Sequence, residues 1–147
     1  FSLELKPVIS LDIAKKMADA CELKRAEKKW NPINIAIVDS GADLILFRRQ
    51  DGAFLGSIDI AIRKATSSAM IPRSTRKVGE LAYAKDGKLG PRPGVATVDF
   101  LVPFAGGLPI RTDKGHLIGA IGISGASSDQ DEECAQAAID SVRDLLK

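Results

Sequence analysis

Aromatic residues make up only 5 % of this 147-residue chain. It therefore has no stacking platform for nucleic-acid bases, and its core must rest on Ile, Leu, Val and Ala. Charge of one sign is lacking too. Lys and Arg number 21 against 19 Asp and Glu, and the net +2 is too small for a nucleic-acid footprint. The densest basic run, Lys24 to Lys29, is broken by Glu27 and reads as the solvated end of a helix. Histidine occurs once and cysteine twice, so no zinc-ligand pattern exists. Cys21 and Cys134 are far apart, each in an expected helix. The expectation is two separate thiols in a reducing cytoplasm, not a disulfide framework. No apolar run reaches the length of a membrane span and no secretory signal is visible, so no membrane partner is expected.

What is present is a globular balance of 45 % hydrophobic and 27 % charged residues, at a length that suits one domain over residues 1–147. Ser10 to Trp30 reads as a helix capped by Ser10, with Ile13, Met17, Ala20 and Cys21 on one face. Asn31-Pro32 stops it. Two β-branched runs then flank the turn residues Ser40 to Asp43, which predicts a hairpin over Ile33 to Gln50. Ser57 to Met70 has helical periodicity through Ile58, Ala61, Ile62, Ala65 and Ala69. Ser74 caps a shorter helix reaching Lys85. Lys85 to Gly94 reads as a loop, and Val95 to Pro103 leans toward strand. A second hairpin follows around Asp113-Lys114-Gly115, where glycine can take positive φ. In the last helix, Ser128 and Asp131 suggest a capping box. Ala135, Ala138, Ile139, Val142 and Leu146 form its apolar stripe. Hairpins imply an antiparallel sheet, so the expected class is α+β.

The densest glycine content lies in "GGLPIRTDKGHLIGAIGISG", Gly106 to Gly125, which also holds the single histidine. Read as a strand, Leu117 to Ser124 puts Leu117, Gly119, Ile121 and Ile123 on one face. Ile118, Ala120, Gly122 and Ser124 lie on the other. The second face nearly vanishes. Either a helix packs very close there, or a flat ligand lies against main chain. Gly106 and Gly107, beside Pro109, would rim such a groove. "GAIGISG" has the wrong spacing and context for a dinucleotide fingerprint.

"AIVDSGADLILF", "RRQDGAFLGSIDIAIRKA", "VPFAGGLPIR" and "GHLIGAIGISGASSDQDEE" together resemble the GlcG/HbpS-like family, often labelled haem-degrading. They also resemble the C-terminal domain of PduO-type corrinoid adenosyltransferases. The resemblance runs from about Ser10 to Leu146. It implies a profilin/PAS-like sheet of about five antiparallel strands flanked by helices. It also implies homo-oligomeric assembly and, for some members, haem or corrinoid binding.

Read with that resemblance, Gly106, Gly107, Gly122 and Ser124 line the ligand groove, and Arg111 is positioned to hold a carboxylate. His116 is the one imidazole available to a haem iron; Met17, Met70 and Tyr83 are the substitutes. Lys64, on the helix flank with Ser57 and Ser68, pairs with Asp51 of the preceding loop as an acid–base couple. No metal site is expected, and haem is the candidate cofactor. Asp131 points inward as a helix cap. The alternatives are an enzyme acting on a small carboxylate, of isomerase, tautomerase or hydrolase type, and a non-catalytic oligomeric accessory module.

Overall fold

The computed structural model describes residues 2–147. The elements follow in the order α1 (Leu11–Lys28), β1 (Asn34–Asp39), β2 (Leu44–Arg49), α2 (Gly56–Met70), α3 (Thr75–Ala82), β3 (Gly107–Arg111), β4 (Leu117–Ser124) and α4 (Ser128–Ser141). Short 3₁₀ turns occupy Pro93–Thr97 and Arg143–Leu145. The strands form one antiparallel sheet in the order β2-β1-β4-β3, so the class is α+β with four strands rather than about five.

The missing fifth strand is the Val95–Pro103 segment. Its backbone is held by side chains of α2 instead of a ladder. Ser67 Oγ accepts from Val102 N at 2.9 Å and donates to Phe100 O at 2.9 Å, and Arg63 Nη1 donates to Asp99 O at 2.6 Å. With those groups satisfied, nothing drives the segment onto the sheet edge.

Local chemistry sets the boundaries. Ser10 Oγ accepts from Ile13 N, and Ser74 Oγ accepts from Lys77 N, both at 3.2 Å. In the first hairpin, Asp39 Oδ1 accepts from Gly41 N and Asp43 N, which closes the tight turn. In the second, Gly115 adopts φ +87°, and Thr112 N donates to His116 O at 2.9 Å. The capping box of α4 stands one residue earlier than expected. Ser127 Oγ accepts from Gln130 N, and Gln130 Oε1 accepts from Ser127 N. Asp131 is thereby released from capping.

The sheet is covered on both faces. Ile35, Ile37, Ile121 and Ile123 pack with α1 and α4 through Met17, Ala18, Ala135, Ala138 and Ile139. Ala36, Val38 and Ala120 pack with α2 through Ala61, Ala65 and Ala69. The second layer consists of small residues, so α2 sits almost on the backbone of β4. A Cβ placed on Gly122 would overlap Ala61 O and stand 2.5 Å from Ala65 N. The two readings of the tapered strand face are thus resolved: a helix of the same chain occupies it, and the groove expected over Gly122 and Ser124 is absent. Gly122→Ala should therefore destabilise the chain by about 3 kcal/mol, as overpacking against rigid backbone does. Gly94→Ala, where a Cβ meets nothing within 4 Å, should change the urea midpoint little. Equal midpoints for the two variants would contradict this packing.

Cys21 and Cys134 are joined in a disulfide, with their Cα atoms 4.9 Å apart. The expectation of two separate thiols is corrected. The residues are 113 positions apart, but α1 and α4 lie side by side on one sheet face. The cytoplasmic expectation rested on those thiols. A disulfide persists in oxidising compartments, so that support is lost. Among the described residues, no helix is long and apolar enough to cross a membrane.

Candidate functional site

The close approach of α2 to β4 carries Lys64 into the interior, where it is fully buried. Its ammonium donates to Asp131 Oδ2 at 3.0 Å and to Ile123 O at 2.8 Å. The ring of Phe104 lies over it, with its centroid at 5.0 Å. Asp131, also buried, accepts a second bond at Oδ1 from Ala126 N at 3.1 Å. Burial lowers the Lys64 pKa against the attraction of Asp131. Burial likewise pushes the Asp131 carboxyl up to about 6, against the opposing pull of Lys64.

The glycines of the "FAGG" segment make room for this pair. Gly106 has φ +132°, and a Cβ there would overlap the Lys64 ammonium and stand 2.7 Å from Ile123 O. A Cβ on Gly107 would stand 2.5 Å from Lys64 O, while its N–H donates to Thr75 Oγ1 at 2.9 Å. Gly106 and Gly107 therefore enclose a lysine rather than a guest molecule. Ser124 is buried on β4 opposite Asn34.

The expected Asp51–Lys64 couple is not formed. Asp51 is exposed in the turn after β2, near Glu22, Arg25 and Arg49. Lys64 is sealed behind Phe104 and bound to a carboxylate 67 positions away. Ser57 and Ser68 are also buried. Ser57 Oγ accepts from Asn34 Nδ2 at 2.6 Å, so this flank of α2 faces the interior and not a pocket mouth.

The open concavity lies elsewhere, along the free edge of β3. A groove of about 460 Å³ runs between β3, the start of α3 and the end of α4. Leu108, Pro109 and Ile139 supply its apolar lining, and Arg73, Lys77, Arg111 and Arg143 its charge, with no acid among its lining residues. Arg111 is held in place: Nη1 donates to Gly115 O at 3.2 Å and Nη2 to Pro72 O at 3.4 Å. Among the described residues, Arg73, Lys77 and Arg111 have no carboxylate within 4.0 Å. Uncompensated cations beside an apolar wall can bind an amphipathic anion. Pro109 lacks a backbone donor, which keeps this edge from recruiting another strand.

Sequence reasoning identified Arg111 but missed Arg73, Lys77 and Arg143. The run "PRSTRK", which leads into the first turn of α3, was the visible signal. Nothing local indicated that the far end of α4 would bring Arg143 beside it.

For haem the fit is divided. The groove has cations beside apolar residues, as a porphyrin's carboxylates and ring would need, but no His, Met, Cys or Tyr lines it. His116 is exposed on the β3–β4 turn and is not among the lining residues. Met17 is buried in the core, and Met70 and Tyr83 are exposed and are not among the lining residues.

A four-stranded antiparallel sheet with two helices on one face, one on the other, and a basic groove at its edge defines an α+β class of small globular proteins. Within that class the chain belongs to the HbpS-like family: the model described as "Haem degrading protein HbpS-like" matches residues 9–140. It is 34 % identical, over 93 % of its length and 94 % of the relative's, to an uncharacterised 15.0 kDa protein from the dhaT-dhaS intergenic region of Citrobacter freundii. The crystal structure of Klebsiella pneumoniae ORFY superposes with a TM-score of 0.84 at 30 % identity, covering 96 % of this chain and 94 % of that one. The crystal structure of a PduOC:heme complex superposes with a TM-score of 0.80 at 26 % identity, covering 92 % and 95 %.

Proposed function

We propose that this chain binds haem, or another planar anionic small molecule, in the groove along β3. The observation that carries the reading is the set of unpaired cations Arg73, Lys77 and Arg111 beside the apolar residues Leu108 and Ile139. The haem complex of the similar PduOC structure makes haem the first ligand to test. The ring would lie on the apolar wall, and the arginines would hold its carboxylates by charge-assisted hydrogen bonds. Haem, when bound, supplies a redox-active iron. Arg73, Lys77 and Arg111 would hold its carboxylates, and Leu108 and Ile139 would meet its apolar face.

The acid–base reading loses its proposed couple, since Asp51 and Lys64 are apart. Self-association, read from the family resemblance, is supported by apolar side chains such as Phe54, Leu55 and Leu89, which are more than half exposed. The profilin/PAS-like description remains our reading of the layering.

The test is a spectrophotometric haem titration. Arg73→Ala/Arg111→Ala should weaken binding about tenfold or more, as loss of two bonds to charged groups does. His116→Ala should leave the affinity within about twofold, because the ring lies outside the groove. Unchanged binding in the arginine variant would remove the groove from the account. A Soret shift abolished by His116→Ala would relocate the ligand to the turn.

A further inference from the structure

The groove continues into a second lobe of about 500 Å³. Lys77 and Leu108 line both lobes. Beyond them the charge reverses. The new charged residues are Glu80, Asp129, Glu132 and Glu133, with Arg76 as the added cation. Arg76 is already engaged: its guanidinium bonds Asp129 and lies 3.0 Å from Glu132 Oε1. Among the described residues, Glu80 and Glu133 have no such partner. In the first lobe only Arg143 has an acid near it, Asp140 at 3.5 Å. The trough is thus positive at one end and negative at the other, and Ser74, Lys77, Leu108 and Gln136 line the part that the lobes share. Most of these charges are exposed and are screened over a Debye length of roughly 8 Å at physiological ionic strength, so the contrast is read at low salt.

We infer that this polarity, acting on the ligand proposed above, selects an amphipathic molecule whose anionic groups all lie on one edge. That edge seats against Arg73, Arg111 and Arg143. The apolar body crosses Leu108. Glu80 and Glu133 repel any molecule that carries a second anionic edge into their lobe. They determine specificity and add nothing to affinity for the preferred ligand, which is how like-charge juxtaposition rejects wrong partners. Tetrapyrroles test this directly, because members of the class differ in where their carboxylates stand.

The experiment titrates the whole chain with iron protoporphyrin IX, its dimethyl ester and iron coproporphyrin. The first has two carboxylates on one edge, the second none, and the third has them around the ring. The ester and the coproporphyrin should each bind about tenfold more weakly than iron protoporphyrin IX at low salt. Glu80→Gln/Glu133→Gln, on the exposed surface, should close the gap for the coproporphyrin and leave the other two affinities unchanged. Coproporphyrin binding as tightly as protoporphyrin, or a gap that survives the double substitution, overturns the inference while the groove assignment stands. Failure of all three probes to bind overturns both.

Discussion

Lys64→Met lowers the unfolding free energy by about 3–5 kcal/mol, the cost of leaving one member of a buried ion pair without its partner. Asp131 would keep a single backbone donor, Ala126 N, in a site that water does not reach. Against a total stability of about 5–15 kcal/mol, the loss is a large fraction. The attraction between the charges is not by itself the reason. Burial opposes both ionised forms, lowering the Lys64 pKa and raising that of Asp131. The pair is tolerated because each charge answers the other and Ile123 O takes a further N–H. Removing both charges should therefore be far less harmful than removing one. Lys64→Met/Asp131→Leu should recover most of the lost stability, since apolar replacements of a buried pair are often neutral or better. Urea denaturation of the two variants decides. A single variant within about 1 kcal/mol of the parent would show that the pair does not hold α2 to α4.

Reducing the Cys21–Cys134 disulfide is the second large effect. The bond closes a loop spanning a sequence separation of 113. Chain-entropy reasoning puts its contribution near 4–5 kcal/mol for a loop of this size. The thermal midpoint should fall by on the order of 10 °C in reductant. Cys21→Ala/Cys134→Ala should behave like the reduced chain, apart from a small packing loss. Before reduction, alkylation under denaturing conditions should find no free thiol; afterwards it should find two. Free thiols in the oxidised sample, or an unchanged midpoint on reduction, would remove the cross-link from the stability account.

These two links mark where the sequence stops being informative. The helices were legible because their signals lie within a few residues. Ser10 and Ser74 cap as read, the stripe Ala135 to Leu146 is buried, and from Ala120 onward the strand parity separates an isoleucine face from a small-residue face, although Ile118, read on the small face, packs with the isoleucines. The hairpin turns were legible for the same reason. Lys64 was marked as the polar residue beside the apolar stripe, but its partner was sought in the loop just before its helix. Asp51 lies 13 positions back, and the true partner lies 67 positions forward. Asp131 was recognised as inward-facing and then assigned to capping, a task that Ser127 and Gln130 already perform.

The groove shows the same limit. The vanishing face of β4 signalled close approach of something, and a helix or a flat ligand would leave the same pattern of small residues. Only the position of α2 distinguishes them.

By itself the sequence determined the four helices, the four hairpin strands, the Ser10 and Ser74 caps, the two turns, the buried stripe of the last helix and the family they resemble. Those depend on backbone preferences and side-chain periodicity over a few residues. The tertiary structure alone decided which elements became neighbours. It thereby set the ion pair between α2 and α4, the disulfide between α1 and α4, and the meeting of Arg73, Arg111 and Arg143 at the edge of β3. Such contacts depend on strand order and on which loops close, and residue spacing along the chain carries no record of that.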